Sequence, residues 1–182
     1  MQVINRETKD FELIVLTLER DKNYYKFIVL RYQNRLYSYL FKLLNFNQED
    51  TKDCLSHTFI KAYYKLNSYQ IDRSFSAWIY KIAHNIAVDY IRKHSGKHLS
   101  FDQVMDIAIS SPYTSISPFS EKLDYILTKL TVDEKNLLIL FYQENMSLQE
   151  LSDIYNLLPN TLAARVKRAK DKAKKLIKQY YE

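Results

Sequence analysis

Glycine occurs once in these 182 residues and proline three times. Sheets usually need glycine-rich turns and regularly spaced β-branched runs, and neither is present, so an all-α fold is expected. The single cysteine, Cys54, excludes an intramolecular disulfide and a cysteine-rich zinc site, which points to a reducing compartment. No apolar stretch approaches the roughly 18 uninterrupted residues of a membrane span. The N-terminus, MQVINRETKDFELIVL, places acidic residues before its short apolar run, unlike a secretory leader. A cytoplasmic protein with no membrane insertion is the expectation. The 47% hydrophobic content suffices for a core, and 27 Lys and Arg against 21 Asp and Glu leave a net charge of +6. Such an excess favours polyanionic partners without separating nucleic acid from lipid headgroups.

The stretch from Phe75 to Arg92, FSAWIYKIAHNIAVDYIR, has neither Gly nor Pro. Phe75, Ile79, Ile82, Ile86 and Tyr90 recur at helical steps and mark a buried face. Trp78, Lys81, Asn85, Asp89 and Arg92 fall on an adjoining stripe. An aromatic ring, an amide that donates and accepts, and two cations suit stacking on a nucleobase and reading it beside its phosphates. A Trp at a core edge with solvated polar neighbours has the same pattern.

Earlier in the chain, helical spacing runs from about Asp10 to Glu19 and from about Tyr24 to Asn45, with Phe27, Leu30, Leu36, Tyr37, Leu40, Phe41 and Leu44 as core positions. Asn47 caps a further helix that packs through Leu55, Phe59, Ala62, Tyr63 and Leu66 and exposes Asp50, Asp53, Ser56 and His57. Cys54 and His57 on this helix could form a dyad or half a metal site, but no second cluster accompanies them. No catalytic residue, metal or cofactor is therefore expected. The polar loop Ser68 to Ser74 then adjoins the Phe75 helix.

From His94 to Ser120 the chain holds its only Gly, two of its three Pro and several Ser runs, and reads as a linker. Ser117 before Pro118 signals a helix carrying Leu123, Ile126, Leu127 and Leu130. Thr131 to Glu134 and Ser147 to Glu150 match capping boxes. A turn through Asn156, Leu157, Leu158 and Pro159 leads to a basic helix with Arg165, Lys167, Arg168, Lys170, Lys172, Lys174, Lys175 and Lys178. Two helices joined this way form a helix-turn-helix candidate whose Arg165 and Arg168 suit base edges or phosphates. The expected architecture is two small helical domains, 1–93 and 119–182, joined by a linker over 94–118.

These stretches together resemble bacterial sigma factors of the extracytoplasmic-function (ECF) type in the sigma-70 family. EDTKDCLSHTFIKAY, Glu49 to Tyr63, is similar to a family form such as EDAEDLVQETFLRAY. Phe75 to Arg92 follows FRAWLYRIARNLALDYLR nearly position for position. SLQELSDIYNLLPNTLAARVKRAK stands where forms like SYEEIAEILGISEGTVKSRLRRAR occur.

The resemblance implies a factor that performs no chemistry of its own and directs promoter-specific initiation by core RNA polymerase. It implies docking of the Glu49 to Tyr63 helix, with Asp50, Asp53, Ser56 and His57 exposed, on the clamp helices of the largest subunit, and a contact to the flap of the second-largest subunit. It implies recognition of the minus-ten element by Trp78, Lys81, Asn85, Asp89 and Arg92, with Asn85 reading a flipped base, and of duplex minus-thirty-five DNA by Asn160, Thr161, Ala164, Arg165, Lys167 and Arg168. An anti-sigma factor is a further partner it allows. Ser56-His57 replaces the usual Gln-Glu, and Ala163-Ala164 replaces a common basic residue and Ser. Asn160 stands at the turn Gly, where left-handed geometry is expected. The altered docking pair also fits a sigma-like DNA-binding regulator or anti-sigma decoy that does not start transcription.

Overall fold

The computed structural model describes residues 8–94 and 118–181. Its order is α1 (Asp10–Glu19), α2 (Tyr25–Leu43), α3 (Gln48–Lys65), α4 (Phe75–His94), α5 (Pro118–Thr128), α6 (Val132–Leu138), α7 (Leu148–Tyr155) and α8 (Pro159–Tyr181), with no strand among the described residues. Short 3-10 turns precede α2 and follow α3, and α6 runs on into a π-helical turn, Ile139–Gln143. The fold is all-α, with two small helical units, the second carrying the helix-turn-helix pair α7–α8. Most of the expected linker lies outside the described residues.

The caps behave as their chemistry dictates. The Asp50 amide donates to Asn47 Oδ1 at 3.0 Å, and Thr131 with Glu134 and Ser147 with Glu150 form reciprocal capping boxes. With one glycine in the chain, left-handed turns fall to other residues: Asn45, Phe46, Asn145 and Asn156 have φ of 54°, 65°, 53° and 53°. Asparagine tolerates this region; an aromatic does not do so readily. Phe46 is held there by burial against Phe41, ring centroids 5.3 Å apart.

One apolar cluster spans both units. Ile28, Leu36, Tyr39 and Leu40 of α2 and Ile79, Tyr80, Ala83 and Ala87 of α4 meet Leu137, Leu140, Leu151 and Ile154 of the second unit. Leu30, expected in the core, is 60% exposed. Ile28, Tyr32, Leu36 and Leu40 take the inward face of α2, and a residue two positions from Ile28 and from Tyr32 points away from it. Tyr63 and Leu123 are likewise more exposed than their spacing suggests.

The seam between the units is bolted by polar groups within this apolar cluster. The Tyr39 hydroxyl donates to Asn136 Oδ1 at 2.6 Å, and both residues are fully buried. Asn136 Nδ2 in turn donates to His84 Nδ1 at 2.9 Å and to the Tyr155 hydroxyl. Tyr39→Phe should keep the edge-on packing against Tyr80 but strip Asn136 Oδ1 of its donor, at a cost of about 1–3 kcal/mol. Urea unfolding with an unchanged denaturant slope measures this; an unmoved midpoint would show that the bond contributes nothing to stability.

Candidate nucleic-acid interface

The loop before α4 and the first turns of that helix form an aromatic corner. The Trp78 ring stacks on Phe75 at 5.3 Å between centroids and meets Tyr69 edge-on at 5.5 Å. Beside it lies a cavity of about 120 Å³ lined by the loop residues Ser68, Tyr69, Gln70, Arg73 and Ser74, by Ala77, Trp78 and Lys81 of α4, and by Asp153 of α7. An aromatic wall flanked by cations is a stacking platform with a phosphate-attracting rim.

The expected stripe is present but unevenly accessible. Asn85, Asp89 and Arg92 are exposed, and Arg92 pairs with Asp89 at 2.9 Å, an exposed pair of small energetic weight. Trp78 is partly buried, and Lys81 is engaged by the second unit: its Nζ donates to the Asp153 carbonyl and, at 3.1 Å, to Asn156 Oδ1. Further along the same contact, Ser74 Oγ donates to Glu150 at 2.7 Å and Arg73 approaches Asp153 at 3.5 Å. Burial would raise the pKa of Glu150, yet hydrogen bonds from the Ser147 amide and from the Ser74 and Ser147 hydroxyls leave it lowered. Glu144, directly after the π turn, pairs with Arg35 at 2.9 Å and accepts from the Tyr80 hydroxyl. Sequence reasoning placed the pocket loop beside the stripe but did not single out Tyr69, Arg73 or Asp153, and it read Asn156 only as a turn residue; an aromatic inside a polar loop was the available signal for Tyr69.

In the second unit Leu162, Val166 and Ala169 turn inward, and Asn160, Thr161, Ala164, Lys167 and Arg168 are exposed on α8 with Arg165 partly covered. The left-handed residue of the turn is Asn156, not Asn160, which lies inside α8. The helix starts at Pro159, whose fixed φ suits a first turn, so the reversal has already been completed upstream. Not all of the basic helix is free: Lys172 pairs with Glu134 at 2.6 Å and Lys170 sits over the Tyr142 ring.

On α3, Asp53, Ser56 and His57 are exposed, whereas Asp50 is partly buried and accepts a hydrogen bond from Tyr90. The expectation that Asp50 stands free is corrected by that phenol, which the α3–α4 packing brings against it. Ile60 and Tyr64, 54% and 79% exposed, extend the same side and were not singled out by spacing. Cys54 is buried, with its thiol pushed up to about 11 chiefly by burial, the opposite of an activated nucleophile, while His57 is exposed. No cluster of three metal-ligating side chains and no helix long and apolar enough to cross a membrane occurs among the described residues.

The family model described as sigma-70 region 2 matches residues 28–97, which include α3, the pocket loop and α4. The chain is 25% identical over 171 residues to the ECF RNA polymerase sigma factor SigW of Bacillus subtilis, covering 87% of this chain and 91% of that protein. It is 26% identical over 149 residues to SigM of the same organism, covering 80% and 90%. Among solved structures, CnrH in complex with the cytosolic domain of CnrY superposes with a TM-score of 0.69 at 20% identity, over 92% of this chain and 96% of that one. The sigma factor RpoE in complex with the anti-sigma factor NepR from Bartonella quintana gives 0.68 at 20% identity, over 85% and 96%. Residues 28–97 of this all-α chain thus match sigma-70 region 2, and the chain is similar to ECF RNA polymerase sigma factors over most of their length.

His84 gives the seam a pH dependence. Its Nδ1 accepts from Asn136, so the unprotonated ring is the form that fits, and burial lowers its pKa from the ordinary 6.5 against an opposing pull from Asp133. The unfolded chain therefore binds the proton first, and the contribution of His84, complete above pH 6.5, is lost as pH falls toward the lower folded value. Thermal unfolding between about pH 7.5 and 5 should show a steeper loss for the parent than for His84→Gln; equal slopes would remove His84 as the cause.

Proposed function

We propose that this protein is an alternative sigma factor that binds core RNA polymerase and directs promoter-specific initiation, with residues 1–93 as a region 2-like domain, 94–118 as a linker and 119–182 as a region 4-like domain. The observation that carries the reading is the aromatic corner of Tyr69, Phe75 and Trp78 beside Lys81, on the helix whose next turn exposes Asn85. In this reading a minus-ten base leaves its stack and is held there, with Asn85 reading its edge, Asp89 beside it and Arg92 on the backbone. Asn160, Thr161, Arg165, Lys167 and Arg168 on α8 meet the minus-thirty-five duplex, and Ala164 offers an apolar surface in place of the common Ser. Asp53, Ser56 and His57, with Asp50 behind them, dock on the polymerase clamp helices in a cytoplasmic complex that also touches the flap. The protein supplies specificity, and the chemistry belongs to the polymerase. An anti-sigma factor is the further partner suggested by the complex of RpoE with NepR.

Run-off transcription with core polymerase over a genomic fragment library tests this reading: discrete starts sharing two upstream elements are expected. Duplex binding without any start would favour the sigma-like regulator or decoy, a reading supported by the Ser56-His57 pair on the docking face.

Two substitutions divide the roles. Asn85→Ala should lower promoter opening, followed by permanganate reactivity, while sparing polymerase binding; equal opening would remove Asn85 as reader. Arg165→Ala with Arg168→Ala should weaken minus-thirty-five duplex binding and reduce the slope of log affinity against log salt by about 0.9 for each phosphate no longer neutralised. An unchanged slope would move the phosphate binding elsewhere on α8.

A further inference from the structure

The pocket beside Trp78 has an unused neighbour. Asn67, in the 3-10 turn Leu66–Ser68, lines a cavity of about 550 Å³ between the end of α1 and the end of α3, whereas the next residues, Ser68 and Tyr69, line the pocket beside Trp78. One short turn separates the two. Leu18, Tyr63 and Tyr64 wall the larger cavity, with Arg20 and Lys22 at its α1 end. A further hollow of about 360 Å³ shares Lys22 and Tyr63 with it and adds Tyr25 and Lys26. The rings are set by packing: the Tyr25 hydroxyl donates to the Phe59 carbonyl at 2.8 Å, Tyr63 meets Tyr25 edge-on at 5.1 Å, and Tyr64 meets Tyr63 edge-on at 5.8 Å. Tyr64 is nevertheless 79% exposed. Of the two carboxylates at the rim, Asp21 accepts from the Asn23 amide at 2.8 Å, so Arg20, Lys22 and Lys26 stand against Glu19.

We infer that this cavity is a second subsite for the same DNA strand, taking an unpaired base near the one held at Trp78, with Tyr64 and Tyr63 stacking on it and Lys22, Lys26 and Arg20 on the phosphates. The inference rests on reading the Trp78 corner as a strand site. Flat rings with cations at the rim are what a single-stranded polyanion uses, whereas a protein helix needs a continuous apolar groove. Asn67 can donate to or accept from a base edge or a sugar. A strand engaged on both sides of the turn Leu66–Ser68 is held at two points, so the second stack raises affinity with little sequence preference and leaves edge reading to Asn85.

The test compares the full-length parent with Lys22→Gln/Lys26→Gln/Tyr64→Ala, all exposed positions, and with Lys9→Gln/Lys52→Gln as a control of equal charge change near the opposite ends of α1 and α3. Anisotropy of a labelled single-stranded oligodeoxynucleotide of random sequence, about 12 nucleotides long, measures binding across a salt series. The fluorescence of Trp78, the only tryptophan, reports on the first pocket. The oligonucleotide is expected to change Trp78 fluorescence in every protein. Affinity of the cavity variant should fall about tenfold below the control, and its slope of log affinity against log salt should be shallower by about 1.4, for two single-strand phosphate contacts at roughly 0.7 each. Affinity and slope equal to the control, with Trp78 responding, overturn the second subsite and leave the corner standing. No binding by any of the proteins, or binding without a Trp78 response, overturns the corner as a strand site and the inference with it. A cavity variant that binds the strand like the control but fails to retain core polymerase in a pull-down assigns the cavity to the docking face, which also overturns the inference. Circular dichroism checks folding; if the triple variant unfolds, Tyr64→Ala alone carries the same comparison of affinity.

Discussion

The two helical units meet at one fully buried side-chain amide. Asn136 has apolar neighbours on most sides, so its oxygen and nitrogen must find partners inside the protein, and they find Tyr39 from α2, His84 from α4 and Tyr155 from α7. A buried amide with any of these bonds unmade would be costly, and this makes the geometry of the seam specific where apolar packing alone would tolerate sliding. The surrounding contacts of Leu137, Leu140, Leu151 and Ile154 with α2 and α4 supply attraction; Asn136 supplies register.

That register decides what lies opposite what. With Asn136 seated, Glu144 faces Arg35, Asp153 faces Arg73 and Lys81, and Glu150 faces Ser74. Lys135, the residue beside Asn136, is buried as well and donates to Asn45 at 2.6 Å, with its pKa lowered to about 8 by burial. The seam thus combines a tightly specified buried part with a rim of solvent-reachable charged pairs, the kind of contact that can hold an arrangement without making it permanent.

Much of this was legible in the sequence. The shortage of Gly and Pro and the periodicity around Phe75 announce helices, and the caps at Asn47, Thr131 and Ser147 were readable because a capping side chain acts within three residues of itself. The stripe from Trp78 to Arg92 was legible for the same reason, since helical spacing alone puts those residues together. What spacing does not carry is the partner of each face. Leu30 has the hydrophobicity of a core residue but the wrong phase, and Asp50 reads as free because Tyr90 lies on another helix. His84 passes as an ordinary member of α4, although the family form resembling this stretch has Arg there; its meaning arises only when Asn136, remote in the chain, comes to rest against it. The π turn was equally hidden, since an added residue in a helix leaves no local compositional mark.

The scarcity of glycine has an effect beyond fold class. Where a chain reverses through left-handed geometry, glycine is the usual solution and carries no side chain. Here Asn45 and Asn156 take that role, and each turns its amide oxygen to a lysine of the other unit, Lys135 and Lys81. Chain reversal and inter-unit fastening are therefore vested in the same two residues. A glycine at either position would ease the backbone and at the same time unclasp the molecule, so loop relaxation and seam loosening are inseparable consequences of one substitution.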